Sequence, residues 1–217
     1  EHPAKPSGWY SFSFRFTLQA SANVELSAER VEQGGIVGVA ITGMVGETAP
    51  TVETDLGSVQ CTRSPSGWRA YIPAAYNASA GAHDVTLTVN GEVLTKTLTV
   101  LPKDFGTAEV EAEPAPTEAA NTEFRNSIWP LYEQPAQEKL WSGGFVCPAE
   151  DYLVLLDFGQ IKITNGQQGS KSNSTKLYTI PGDPARAPAN GTVAFAGNLA
   201  LTGNTVVIDH GCGMRSY

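Results

Sequence analysis

Residues 172–197 read SNSTKLYTIPGDPARAPANGTVAFAG. From Gly182 onward, glycines and prolines punctuate the chain until GTVAFAG, a short strand with a glycine at its end. The first half holds small polar residues, no histidine, and a single charge, that of Lys176. The second half reads as the start of a compact β domain, so the open question is what residues 172–176 do beside it.

Outward from this stretch the pattern stays β. Upstream, LWSGGFVCPAEDYLVLLDFGQIKITNG (140–166) opens on a Trp and a Gly pair and reaches Phe158-Gly159. Downstream, NTVVIDHG (204–211) reads as a buried strand, because Val206, Val207 and Ile208 are continuous. Residues 21–102 are short strands separated by polar turns. VELSAERVEQGGIVGVAITG gives two strands around Gln33-Gly34-Gly35, and VETDLGSVQCT, GWRAYIPA and DVTLTVN follow. Asn90-Gly91 then joins TLTVN to EVLTKTLTV, the strongest hairpin signal in the chain. Regular spacing of this kind predicts an immunoglobulin-like β-sandwich over 21–102. The Cys–Trp–Cys arrangement of antibody domains is missing, so the prediction concerns architecture only. Trp68 and Tyr71 are read as packing residues, with a ligand-binding role for the aromatics as the alternative.

Two further segments frame the sandwich. In WYSFSFRFTLQA (9–20), Tyr10, Phe12, Phe14, Phe16 and Leu18 alternate with polar residues, the pattern of a half-buried strand. Residues 1–20 are therefore either the last strand of an upstream domain or the first strand of the next. Residues 103–139 form a linker and a short helix. EVEAEPAPTEAA is acidic, rich in Ala and Pro, and aperiodic. Asn121 and Thr122 can cap a helix over TEFRNSIW that is interrupted near Pro130, with Ile128, Trp129, Leu131 and Tyr132 giving it an apolar side.

The composition is that of a globular protein, 41% hydrophobic and 17% charged, with a net charge of −8. The acid excess lies in residues 1–120, with 14 Asp and Glu against 7 Lys and Arg. A β-rich chain this acidic is a poor candidate for binding nucleic acid, since nothing in it could neutralise a run of phosphates. Cys61, Cys147 and Cys212 form no CxxC or Cys/His cluster, which argues against a structural zinc site. Three cysteines neither require nor exclude export. No signal peptide and no run of 18 apolar residues occurs. The chain opens on Glu1, and is expected to be an internal piece of a longer protein whose leader or membrane anchor stays open.

From Trp141 to Tyr217 the sequence resembles the lysostaphin/LytM-like zinc endopeptidases, which cut peptide cross-links in bacterial cell walls. Of the family's entry segment W-x-G-x-F-x-x-P … F-G-x-x-R, this chain carries Trp141, Gly143, Phe145, Pro148 and Phe158-Gly159. Its later scaffold is matched by Gly182, Pro184-Ala185, Ala187, Gly191, Val193, Gly203-Asn204, Val206, Ile208 and His210-Gly211. The resemblance covers about the last third of the chain. It implies an incomplete antiparallel β domain of the duplicated-hybrid-motif (LytM) type over 140–217, so the whole chain is expected to be all-β.

The resemblance also implies a site. Family members bind zinc through the His and Asp of H-x-G-x-D and the second His of a late H-x-H, leaving one position for water. Counting back from Ala187 and Pro184 places the first ligand position at Ser172 and the second at Lys176. Serine is a poor zinc ligand, and a lysine ammonium is repelled by Zn²⁺. The late H-x-H, and the Y-x-H-L before it, would fall beyond Tyr217. No catalytic residue and no cofactor are therefore expected in this stretch of chain, although zinc serves active members.

A candidate groove would comprise Lys176, Asn204, His210 and Tyr217. Lys176 is weighed as an anion-binding group against a solvated side chain. His210 is read chiefly as a structural histidine at a strand end, and Asp209 as a surface or turn carboxylate. His2 and His83 are expected on a tail and a turn, solvated. Cys147 and Cys212 could approach one face, with a disulfide and free thiols both open.

The functional expectation is a non-catalytic module at the cell envelope or outside a bacterial cell, binding peptidoglycan or a cell-wall hydrolase. The alternative is an active zinc metalloendopeptidase of peptidoglycan cross-links whose ligands are completed outside residues 1–217. A structural, adhesin-like stalk is the third reading. The stretch as it stands is expected to be inert, with a marginally stable C-terminal part that exposes apolar strand edges.

Overall fold

A computed structural model describes residues 13, 21–44, 46, 48–133, 136 and 138–217. The aromatic strand expected over 9–20, apart from Ser13, and His2 lie outside the described residues.

Hydrophobic alternation builds the first half. The strands are β1 (Asn23–Leu26), β2 (Arg30–Glu32), β3 (Ile36–Thr42), β4 (Thr51–Glu53), β5 (Thr62–Ser64), β6 (Gly67–Pro73), β7 (Gly81–Val89) and β8 (Glu92–Leu101). They form two four-stranded sheets, ordered β1-β3-β6-β5 and β2-β8-β7-β4. In β3, Val37, Val39 and Ile41 point inward while the residues between them do not. β7 repeats the pattern with His83, Val85, Leu87 and Val89. Facing side chains of the two sheets share one core, in which Ile41, Trp68 and Ile72 from the first meet Val85, Leu87 and Leu98 from the second. Burying each such side chain contributes roughly 1.5–3 kcal/mol.

The turns follow the sequence in some places and divide it in others. Asn90 and Gly91 both take positive φ, 52° and 83°, as the tight β7–β8 hairpin requires. The stretch read as two strands around Gln33-Gly34-Gly35 holds three. β1 and β2 enter opposite sheets, and β2 runs parallel to β8. VETDLGSVQCT likewise divides into β4 and the start of β5, which belong to different sheets.

The second half is a set of small sheets and one helix. Its elements are β9 (Thr107–Glu109), α1 (Glu118–Glu133), β10 (Leu153–Leu156), β11 (Ile161–Thr164), β12 (Gln167–Lys171), β13 (Lys176–Tyr178), β14 (Thr192–Leu199), β15 (Gly203–Gly211) and β16 (Met214–Ser216). The sheets are β12-β11-β9, β10-β13 and β14-β15-β16. The described chain is thus nearly all β, with several antiparallel sheets and one helix.

The segment 103–139 departs from a free linker in two ways. β9 lies parallel to β11, with Thr107 opposite Ile161, so part of the segment is bound into a sheet. The helix is also longer than expected. Thr117 caps it by accepting from the Ala120 N–H at 3.2 Å, one turn before Asn121 and Thr122. It then continues through Pro130 to Glu133. Pro130 is exposed, so water can satisfy the carbonyl its ring leaves unpaired.

Phe124, Ile128 and Leu131 carry the apolar face of α1 onto Phe195, Leu199 and Val207 of β14 and β15. From Thr205 to Asp209 β15 alternates, with Val207 buried and Val206 half exposed, so the continuous burial expected for Val206–Ile208 is absent; burial becomes continuous only at Asp209–Gly211. Aromatic pairs join the two halves. Tyr71 meets Trp141 at 5.7 Å between ring centroids, and Tyr76 meets Phe158 at 5.4 Å.

Candidate functional site

Ser172 follows β12 and is 1% exposed. Its backbone is held on both sides: its N–H donates to Gln160 O at 2.8 Å, and its carbonyl accepts from the Gly159 N–H at 2.8 Å. Its hydroxyl donates to Ser174 O at 2.7 Å, closing a small turn. Lys176 opens β13 and is exposed, and its ammonium donates to Glu113 Oε1 at 3.0 Å. That hydrogen bond, with the charge behind it, holds the Glu113 carboxyl below the usual carboxylate range. Glu113 comes from the acidic stretch after β9, so this stretch reaches across to the start of β13.

The residues at these two positions do not fit a zinc ion. One hydroxyl is buried and engaged with its own turn, and the other group is a cation without a lone pair to donate. Among the described residues, no group of three or more His, Cys, Asp or Glu is placed to hold a metal ion.

His210 sits at the centre of a separate arrangement. It lies in β15, fully buried, with Nδ1 2.9 Å from Asn190 O and Nε2 2.9 Å from Ser216 Oγ. A carbonyl only accepts, so Nδ1–H donates to it, and the serine O–H can donate to Nε2. A neutral imidazole is thereby satisfied at both nitrogens. The edge of Phe145 closes the ring at 4.8 Å. Full burial leaves His210 no open surface, so it lines no groove.

Two glycines allow this packing. A Cβ on Gly191 would stand 2.6 Å from Asp209 O and 2.9 Å from His210 Nδ1. One on Gly211, where φ is 83°, would meet Glu138 O at 1.7 Å. The segment before Trp141 runs beside β15 here, with Leu140 N–H donating to His210 O at 2.9 Å.

The other candidate groove residues are dispersed. Asn204 accepts from Asn198 Nδ2 at 2.8 Å across the β14–β15 hairpin. Tyr217 is 65% exposed, its ring 6.3 Å from Phe124. No hydrogen bond, ion pair or ring contact among the described residues links Lys176 to Asn204, His210 or Tyr217.

Asp209 is not a surface carboxylate. It is 8% exposed, accepts from the N–H groups of Gly211 (2.8 Å) and Ala136 (3.0 Å), and lies 3.5 Å from the buried Arg215 guanidinium. At 3.5 Å this is charge attraction without a formed hydrogen bond, and Arg215 Nη2 has no hydrogen-bond partner. His83 is not solvated either: it is 7% exposed in β7, with Nδ1 2.9 Å from Asp55 Oδ1 and Nε2 2.8 Å from Ser79 O. The cysteines form no disulfide; Cys147 is exposed and Cys212 buried, its Sγ 2.9 Å from Thr62 Oγ1.

No family model matches the chain, and no curated protein matches it. Among solved structures, the Yersinia pseudotuberculosis adhesin InvE is similar at 18% identity and a TM-score of 0.31, over 37% of this chain and 26% of that one, about a quarter of its length. A chimeric titin Z1Z2 carrying a decorin peptide is similar at 23% identity and a TM-score of 0.27, over 41% of this chain and 98% of that one. A Pseudomonas aeruginosa protein named for the peptidase M23 family is similar at 16% identity and a TM-score of 0.45, covering 84% of this chain and 70% of that one.

Proposed function

We propose that residues 140–217 belong to a non-catalytic relative of the lysostaphin/LytM-like zinc endopeptidases, a bacterial cell-envelope or extracellular module that binds peptidoglycan or a wall hydrolase without cutting. One observation carries the reading. Two scaffold glycines of the motif, Gly191 and Gly211, stand where a Cβ would collide with backbone, while the first and second ligand positions are given over to protein contacts: Ser172 to its own turn and Lys176 to Glu113. Retained scaffold with substituted ligands fits binding better than hydrolysis.

The test is incubation of the purified chain with peptidoglycan sacculi and with wall hydrolases, followed by sedimentation, pull-down and chromatography of released fragments. The reading expects retention on one of these partners and no release of cross-linked peptides. Chelator-sensitive release by the chain alone would overturn it.

A further inference from the structure

A cavity of about 250 Å³ lies between the sandwich and the second half. From the sandwich it is lined by Ser58, Gln60 and Tyr71, and from the second half by Tyr132 of α1 and residues 212–215 at the β15–β16 turn. Cys212 and Gly213 take positive φ, 54° and 76°, and fold β16 back so that Arg215 stands opposite Asp209. Cys212 Sγ lies 2.9 Å from Thr62 Oγ1 of β5, which seats the turn against the sandwich.

Arg215 is the unusual member of this lining. Its side chain is 4% exposed, and among the described residues its Nε and Nη2 have no hydrogen-bond partner. Their N–H bonds lie side by side in the guanidinium plane, a fork matched to a carboxylate. Asp209 does not fill it. Its Oδ1 accepts from Gly211 N–H and its Oδ2 from Ala136 N–H, and it approaches Arg215 only at Nη2, at 3.5 Å. A guanidinium keeps its proton in a protein, so the need for two acceptors persists, and a buried charged donor without one is costly. Arg215 Cζ stands 5.1 Å from the Tyr132 ring, itself part of the lining, which brings the charged end of the side chain to this wall.

The remaining lining selects the body of a ligand. Ile36, Pro73 and Met214 are apolar, and the volume lies just below the ~300–1,000 Å³ of pockets for drug-sized molecules, so the occupant is small. Ile36 and Tyr132 are 48% and 44% exposed, which opens the cavity to solvent. The two nitrogens are shielded, so a ligand reaches them as the lining adjusts, and unbranched Met214 beside Arg215 is the side chain suited to give way. A carboxylate brings two charged oxygens to the fork, where an amide brings one neutral oxygen.

We propose that this cavity binds a small monocarboxylate with an apolar, ring-sized body, its carboxylate taken side-on by Nε and Nη2 of Arg215 and its body laid against Ile36, Pro73 and Tyr132. The lining includes neither Ser172 nor Lys176, so the inference does not rest on the peptidoglycan reading.

The experiment titrates the full chain with phenylacetate, phenylacetamide and acetate, following backbone amides and the Arg215 side-chain Nε–H by NMR. Phenylacetate should shift the Arg215 Nε–H downfield and move the amides of residues 58–60, 71 and 212–215. Phenylacetamide should bind about tenfold more weakly, because it leaves half the fork unmet. Acetate should also bind more weakly, since it lacks the apolar body. Arg215→Lys keeps the charge without the fork and should shrink the advantage of phenylacetate over phenylacetamide. The Nε–H reading uses the unaltered chain, so it decides the matter even if the variant does not fold. Equal binding of phenylacetate and phenylacetamide, acetate binding as tightly as phenylacetate, an unmoved Nε–H, no binding at millimolar phenylacetate, or an undiminished advantage in Arg215→Lys would each overturn the proposal.

Discussion

Replacing Ile128 with alanine should unfasten the second half of the molecule while leaving the sandwich intact. Ile128 is fully buried and joins α1 to Leu199 and Val207 in a core of few residues. Truncation removes three buried carbons, about 2.4 kcal/mol at ~0.8 kcal/mol each. The space left adds up to about 2 kcal/mol, depending on how far the neighbours collapse. Alanine's better helix propensity returns about 0.4 kcal/mol. The net loss is about 2–4 kcal/mol. Hydrogen exchange read by mass spectrometry is the right assay, because the described residues form two separate cores that need not unfold together. Amides of β14 and β15 should exchange faster by about 30-fold to several hundredfold, at a factor of ten per ~1.4 kcal/mol. Those of β7 and β8 should not change. A loss under about 0.5 kcal/mol would show that α1 does not anchor this half. Equal acceleration in both halves would show that they unfold as one unit and refute the separation.

Two further outcomes follow from side-chain surroundings. Both acceptors around His83, Ser79 O and the Asp55 carboxylate, call for a donated proton, so the ring favours its charged form and its pKa lies above the ordinary 6.5. The stability this gives is complete below the unfolded pKa and is lost as pH rises through the raised folded value. NMR titration of the ring should show the upward shift, and His83→Gln should flatten the stability profile over that range; an unshifted or lowered midpoint would refute it. Among the cysteines, burial pushes the Cys61 thiol up to about 11, and Cys212 is buried, whereas Cys147 is exposed. Iodoacetamide at mild alkaline pH should label Cys147 first in the native chain, and faster labelling of Cys61 would contradict these surroundings.

Local signals in the sequence carry much of the fold. Asn90-Gly91 demands two positive φ values, and the hairpin has them. The alternation through Val85, Leu87 and Val89 marks β7, and extending it two residues back puts His83 on the buried face, a signal present but not followed. The same period in β15 carries Thr205 and Val207 on to Asp209, so its burial was legible too, whereas a reading of three continuous apolar residues hides it. What was not legible is non-local. The parallel pairing of β9 with β11 joins residues more than fifty positions apart and leaves no local pattern. Thr117 as the helix cap competed with Asn121 and Thr122 as plausible caps, and packing of Ile128 and Leu131 carried the helix through Pro130. At the candidate site the poor metal-donor chemistry of Ser172 and Lys176 was readable, but the Lys176 partner, Glu113, lies 63 positions away and depends on how distant segments meet.

The central claim is that neither Ser172 nor Lys176 can serve as a zinc ligand, because each is engaged within the protein. Zinc binding tests it most directly. The chain should be equilibrated with excess zinc, freed of loose metal by gel filtration, and assayed for retained metal by mass spectrometry, with calorimetric titration alongside. The account predicts far less than stoichiometric zinc and no tight binding isotherm, because neither position supplies a competent donor. Stoichiometric zinc that is lost on Ser172→Ala or Lys176→Ala would contradict it.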